Sequence, residues 1–176
     1  MALQDFNTAV QDFGFGKKYS FQVTDLQGPP SLVSFNAKQW LYVESLTIPS
    51  RKTNTTKVPY KAFDFVVPTN TSFPENESWK VNFFSDEKLK IRRLFDTWSE
   101  ATYKFTNNYG GGNLGFGNCN LEITINDDKG STKKAFTLYG VYPVLIGSME
   151  YNVSDAGTTV AKVPVTLAFQ YFDSKY

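Results

Sequence analysis

The chain of 176 residues contains no histidine, and that absence alone excludes several kinds of chemistry. Histidine is the one side chain whose unperturbed pKa lies near neutrality, and it is the commonest metal ligand. A Ser–His or Cys–His nucleophile pair cannot be assembled here. The single cysteine, Cys119, excludes an internal disulfide and any multi-cysteine metal site. With no activating partner near it in sequence, it reads as a buried structural thiol. An excess of one charge is missing too, since Lys plus Arg total 18 against 17 for Asp plus Glu. No strong field therefore draws the chain to nucleic acid or to a membrane surface, and a basic nucleic-acid-binding module would look different. No apolar run approaches the length of a membrane span, so no membrane insertion is expected. The opening MALQDFNTAVQDF lacks the pattern of a secretory signal. The Asn-x-Ser/Thr sequences at Asn54, Asn70, Asn76 and Asn152 accordingly read as polar loops, in a cytoplasmic setting.

Aromatic residues, by contrast, are plentiful at 16%, which favours β-structure. The length suits one domain, 1–176, able to bury about 70% of the unfolded chain's surface. The most ordered pattern lies near the C-terminus, in TTVAKVPVTLAFQYF (158–172). There Val163, Val165, Leu167, Phe169 and Tyr171 fall on one face of an extended chain, with Lys162, Pro164, Thr166, Ala168 and Gln170 on the other. Read as one strand it would span about 50 Å, far longer than a strand usually is. Such a strand overhangs a compact domain and is expected to pair beyond its own subunit.

The remaining elements are shorter. Leu3, Phe6, Val10 and Phe13 have helical spacing, which predicts a short amphipathic helix over 2–12. A strand follows from Tyr19 to Asp25, and a long one from about Lys38 to Ile48. PSRKTNTTKVPYK, bounded by Pro49 and Pro59, reads as the tip of a large hairpin whose extended pattern resumes from Tyr60 to Val67. Residues 68–77 read as a loop, and Trp79, Val81 and Phe83 as the inward face of another strand. DEKLKIRRLFDTWSEA (86–101) predicts the one long helix, capped by Ser85, with Asp86 and Glu87 at the positive end of its dipole. Its apolar stripe is Ile91, Leu94, Phe95, Trp98 and Ala101. A glycine-rich loop leads to a strand at 120–125. Asp127-Asp128-Lys129-Gly130 has turn chemistry, and strands are expected at 134–141 and 145–152 before the last one. This is a mainly β chain, a β-sandwich or open barrel, with one long packed helix and a short N-terminal one.

Nothing in the pattern proposes an enzyme. Gly110, Gly112 and Gly115 satisfy the dinucleotide-binding spacing, but that motif needs a strand before it and a helix after it, and here the order is reversed. The acidic pairs Asp127-Asp128 and Asp86-Glu87 belong to a turn and to a helix start. No catalytic residue, cofactor or metal site is assigned. Arg51, Lys52, Lys57 and Tyr60, at the basic hairpin, are either solvated or part of an arm reaching a neighbouring subunit.

In order along the chain, the short N-terminal helix before KYSFQVTDL, the helix SDEKLKIRRLFDTWSE, the turn and strand LYGVYPVLIGSMEYN and the closing TTVAKVPVTLAFQYF form a set. Together they resemble the tail tube proteins of contractile-tailed bacteriophages, which are related to the tube proteins of contractile injection systems. The resemblance spans nearly the whole chain, although the glycine-rich stretch at 103–118 departs from the family pattern. It implies subunits that form homohexameric rings, close an inner β-barrel with strands from all six, and stack into a hollow tube. It further implies a place in the virion tail, assembled in the bacterial host cytoplasm. The implied partners are a sheath protein outside, a tube initiator or baseplate, a tape-measure protein, and DNA passing transiently and non-specifically through the lumen. Long strands with open edges are an aggregation hazard, and ring closure would remove those edges. The expected function is therefore a structural conduit for DNA ejection. A baseplate-proximal initiator ring, an injection-system tube subunit and a monomeric carbohydrate-binding β-sandwich are the alternatives.

Overall fold

The computed structural model describes residues 21–27, 42–107, 119–126, 132–151 and 160–175. At its centre are two chain segments that run antiparallel to each other and both change sheet. The first is β7 (Thr132–Tyr139), which continues through Gly140 and Val141 into β8 (Tyr142–Ile146). The second is β9 (Lys162–Ala168), which continues through Phe169 and Gln170 into β10 (Tyr171–Lys175). β10 pairs with β7 and β9 with β8, so the two bends lie side by side. The Gln170 amide donates to the Tyr139 carbonyl at 2.8 Å and ties them together.

Each arm of this bent ribbon is widened on one side. Beyond β7 come β6 (Asn120–Asn126) and β1 (Phe21–Gln27), which complete a four-stranded sheet in the order β1-β6-β7-β10. Beyond β9 come β5 (Trp79–Phe84) and β2 (Val43–Leu46), giving the order β2-β5-β9-β8. All these pairings are antiparallel. Both sheets are open, and the described residues of the subunit form no closed barrel.

The core lies where the sheets and the helix meet. Trp79, Val81 and Phe83 alternate with more exposed neighbours, as do Val163, Val165 and Leu167, the period-two signature of a half-buried strand. Val23, Leu121, Ile123, Phe136 and Leu138 face the same cluster from the other sheet. Helix α1 (Lys90–Asn107) adds Ile91, Phe95 and Trp98 from one stripe. Phe95 lies 5.0 Å from the Phe83 ring and 6.1 Å from Trp98, centroid to centroid. Burying each such side chain is worth roughly 1.5–3 kcal/mol, which is what holds the helix to the sheet. Cys119 is buried in the same cluster, as the sequence suggested.

Several expectations are corrected. The C-terminal stretch is two strands in two sheets, because its alternation slips at the bend. Ala168 and Phe169 are both buried in succession, after which Phe172, not Tyr171, points inward. The strand expected to reach back to Lys38 is described only as Val43–Leu46, and residues 31–41 lie outside the described set. The strand expected over 145–152 ends at Ile146. The helix starts at Lys90, not at Asp86, since residues 86–89 form a turn in which Leu89 takes a φ of 52°. Asp86, not Ser85, caps it, accepting the Ile91 amide at 3.1 Å. Burial works against the Asp86 carboxylate, but the main-chain amides of Ile91, Lys90, Asp86 and Lys88 outweigh it and hold its pKa below the ordinary value. The helix expected at 2–12, the glycine motif at 110–115 and the Asp127-Asp128 turn lie outside the described residues.

Candidate assembly interface

One element takes no part in the core. β3 (Lys52–Tyr60) and β4 (Phe63–Ser72) pair only with each other among the described residues, as a separate two-stranded sheet. Its turn is Lys61-Ala62, with Lys61 at a φ of 55°. The sequence reading placed the tip at 49–59. The structure makes those residues the root and ascending strand, and strand β4 takes up the first half of the expected 68–77 loop. An isolated hairpin is at best marginally stable in water, so its surroundings decide its use.

The hairpin has two zones. Near the root its side chains are Thr53, Asn54, Thr55, Thr69, Asn70, Thr71 and Ser72. There two residues of β4, Thr69 and Asn70, oppose the single Asn54, a bulge between the pairs Thr53↔Thr71 and Thr55↔Pro68. Asn54 Nδ2 donates to Asn70 Oδ1 at 3.0 Å, and Thr69 Oγ1 donates to the Asn54 carbonyl at 3.1 Å. Beyond the bulge the character changes. The register sets Val58 opposite Phe65, Thr56 opposite Val67 and Tyr60 opposite Phe63, so these share one face. Tyr60 and Phe65 meet edge to face at 6.0 Å. This apolar face lies in water, with Phe63 74% exposed. Lys57, Pro59, Asp64 and Val66 make up the opposite face.

A contiguous exposed apolar surface of this kind is a contact surface in waiting. Pro59 and Pro68, one on each strand, remove main-chain donors from the hairpin. Such prolines discourage addition of a further strand. The surface this hairpin leaves available is therefore its face and not its edge.

The root is tied down. The Trp79 indole donates to the Thr47 carbonyl at 2.6 Å, and Pro49 is buried. Ser50 donates both its amide, at 2.9 Å, and its hydroxyl, at 2.6 Å, to Glu75 Oε2. The Ser50 hydroxyl and then the Ser50 amide hold the Glu75 carboxylate below its ordinary pKa. Arg51 donates from Nη2 to the Phe172 carbonyl at 3.1 Å, and its guanidinium lies over the Phe172 ring at 5.1 Å and the Phe73 ring at 5.9 Å.

A second candidate surface is the β2-β5-β9-β8 sheet. Its outer strands, β2 and β8, each have one unpaired edge among the described residues, and Val144 and Leu145 on β8 are exposed. The face turned away from the core carries both polar and apolar side chains, with Phe84 and Leu145 among the latter. Lys80, Lys162 and Pro164 are exposed there, Lys162 is ion-paired with Glu44, and Asn82 Nδ2 donates to Ser45 Oγ at 3.0 Å. Glu44, Asn82, Glu150, Tyr151 and Lys162 line a shallow groove of about 670 Å³ on this side.

The residues singled out from sequence are thus scattered among different roles. Val163, Val165, Leu167 and Phe169 are buried in the subunit's own core, whereas Tyr171 lies in β10, half-exposed and stacked on Tyr139 at 4.7 Å. Tyr60 belongs to the apolar hairpin face, Lys57 to the opposite face, Lys52 to the exposed base of β3, and Arg51 to an internal contact. Phe63, Phe65, Val66 and Val67 were not singled out. Their signal was an apolar run between two Thr/Asn-rich stretches, with no second apolar segment nearby to cover it. Among the described residues no group of three or more acidic, histidine or cysteine side chains has a metal-binding arrangement.

No protein-family model matches the sequence, and no curated protein matches it. Solved structures do match. A chain of the anti-feeding prophage baseplate, six-fold symmetrised, superposes with a TM-score of 0.59 at 11% identity, covering 92% of this chain and 95% of that one. A chain of the sheath/tube terminator of an extracellular contractile injection system, PVC in its extended state, gives 0.58 at 13% identity over 91% and 96%. A chain of the extended PVC sheath–tube complex gives 0.52 at 13% over 96% of each. The protein has the fold found in these contractile injection assemblies, the fold that the sequence resemblance implied.

Proposed function

We propose that the protein is the subunit of a tail tube, a structural component with no catalytic role. Copies join side by side, the β8 edge of one subunit meeting the β2 edge of the next. Six copies close a ring in which the β2-β5-β9-β8 sheets form a common inner barrel, and rings stack into a hollow conduit inside a contractile sheath. The observation that carries this reading is the pairing of a doubly open sheet with a free-standing hairpin whose outer half is apolar. Edge pairing satisfies the exposed main-chain groups around the ring, and the hairpin's apolar face supplies burial against a second copy of the chain in an adjacent ring.

The outer face of that sheet would line the lumen. Its Lys162 is already paired with Glu44, which leaves Lys80 as the other exposed cation there, and a lumen with few free cations suits passage of DNA without retention. The sheath would lie outside, with the tape-measure protein within the lumen and an initiator or baseplate at one end. The setting is a virion tail assembled in the bacterial host cytoplasm. A second reading, a baseplate-proximal or terminating ring present in few copies, is favoured by the similarity to chains of a baseplate and of a sheath/tube terminator. An injection-system tube would use the same contacts.

Negative-stain electron microscopy with sedimentation of the purified protein tests the proposal. Wild type is expected to give rings and stacked tubes with a central hole. Phe63→Asp together with Phe65→Asp is expected to leave rings but abolish stacking. Rings alone from wild type would favour the terminating-ring reading. A monomer that persists after an initiating ring is supplied would overturn the conduit.

A further inference from the structure

We propose that Arg51 and Glu75 are positioning residues, a two-point clamp that fixes the angle at which the β3–β4 hairpin leaves the body. The inference rests on the tube reading for its consequence and on geometry alone for its existence. Arg51 was a candidate contact residue, but its guanidinium is engaged within its own subunit. It bonds to the Phe172 carbonyl on β10 and covers two aromatic rings. One residue earlier, Ser50 is held by the Glu75 carboxylate through its amide and its hydroxyl, the latter within reach of both carboxylate oxygens.

The descending strand is anchored at the same place. Phe73, the residue after β4, lies 5.2 Å from the Phe172 ring and 6.3 Å from the Phe169 ring, in edge-to-face contacts. Its carbonyl accepts the Asn76 amide at 3.1 Å, and the Asn76 carbonyl accepts the Phe169 amide at 2.8 Å. Both legs of the hairpin are thereby fastened to the β9–β10 bend, which is itself locked to the β7–β8 bend. The root is the natural place for this fastening. Among the described residues the outer half pairs with no strand of the body, so an angular error at the root displaces the distal aromatic face in proportion to the hairpin's length. Two strands of nine and ten residues reach about 30 Å. A docking surface at the end of such a lever needs a stiff base, because freedom lost on docking is subtracted from the binding energy.

The test uses spin labels at Lys61→Cys on the turn and Thr97→Cys on the exposed side of α1, with labelled protein diluted into unlabelled. The buried Cys119 stays unmodified. Wild type is expected to give one narrow dipolar distance distribution. Arg51→Ala and Glu75→Ala are expected to broaden it, and Arg51→Lys, which keeps the charge and loses the planar fork, to fall between. Thermal unfolding and ring formation stay near wild type, while the ratio of stacked to free rings falls about tenfold, because the freedom gained at the root has to be lost again on docking. Ser50→Ala reports on the same latch if either alanine variant folds poorly. Equal distribution widths in all variants would overturn the clamp. Broadening with undiminished stacking would overturn its role in aiming the hairpin. Should wild type fail to form rings, the tube reading falls, and the distance distributions still decide whether the clamp exists.

Discussion

Gly140 and Gln170 face each other where both central segments change sheet, so closely that a Cβ on Gly140 would lie 2.5 Å from Gln170 Cγ. Gly140 also has a φ of +65°, a conformation L side chains rarely adopt. Gly140→Ala is therefore expected to lose stability twice over, by about 1–3 kcal/mol in urea unfolding. Adding Gln170→Ala removes the closest clash and should restore part of that loss, leaving about 1–2 kcal/mol of backbone strain. Full recovery in the double variant would show that the backbone there is unstrained.

The helix is expected to be held by its buried stripe, with little contribution from its charged face. Phe95→Ala should cost about 3–5 kcal/mol, since the ring is almost wholly buried against Phe83 and Trp98. Asp96→Ala removes an exposed partner of Arg92 at 3.7 Å and should change stability by no more than about 0.5 kcal/mol. Chemical denaturation of both variants checks the contrast.

Burial pushes the Cys119 thiol from 9.0 up to about 11. The neutral thiol is favoured in the folded protein. Its contribution is therefore complete below the ordinary thiol pKa and is lost as the pH rises through the folded value. At pH 9 a thiol-specific reagent should react with the unfolded chain and leave the native protein untouched. Rapid modification of native protein would show that the thiol is accessible.

For Glu75 the sign is opposite. Its folded pKa is held below the ordinary 4.5 by the two donors of Ser50. The latch is thus fully present above the ordinary carboxylate value and is lost as the pH falls through the depressed one. Ser50→Ala should raise the Glu75 midpoint toward 4.5, read by carboxyl carbon NMR. An unchanged midpoint would mean that the serine does not hold the carboxylate in solution.

Much of the fold was legible because the relevant signals are local. Alternation in WKVNFF and KVPVTLA identified β5 and β9, and the Ile91, Phe95 and Trp98 spacing identified the helix stripe. The errors arose where local pattern and long-range contact disagree. From Val163 to Tyr171 the apolar alternation is unbroken in sequence, yet the chain turns at Gln170. The opposing bend at Gly140 and the bond from Gln170 to Tyr139 carry it into the other sheet. Likewise, Ser85 has good capping chemistry, but the turn that precedes α1 brings Asp86 to the Ile91 amide instead.

The candidate interface shows the same division. Composition and period were enough to determine a mainly β chain with one packed helix and no histidine-based chemistry, because residue type and spacing act over a few residues. They also marked the region from Pro49 onward as a large hairpin. Only the tertiary structure decided which part of that hairpin is packed on the body and which is free. Arg51 proved to be engaged because Phe73 and Phe172, distant from each other in sequence, converge on it. Phe63 and Phe65 proved to be exposed because no element of the described fold comes to cover them. Burial and exposure are properties of the whole packed chain, and a sequence window holds only half of each contact.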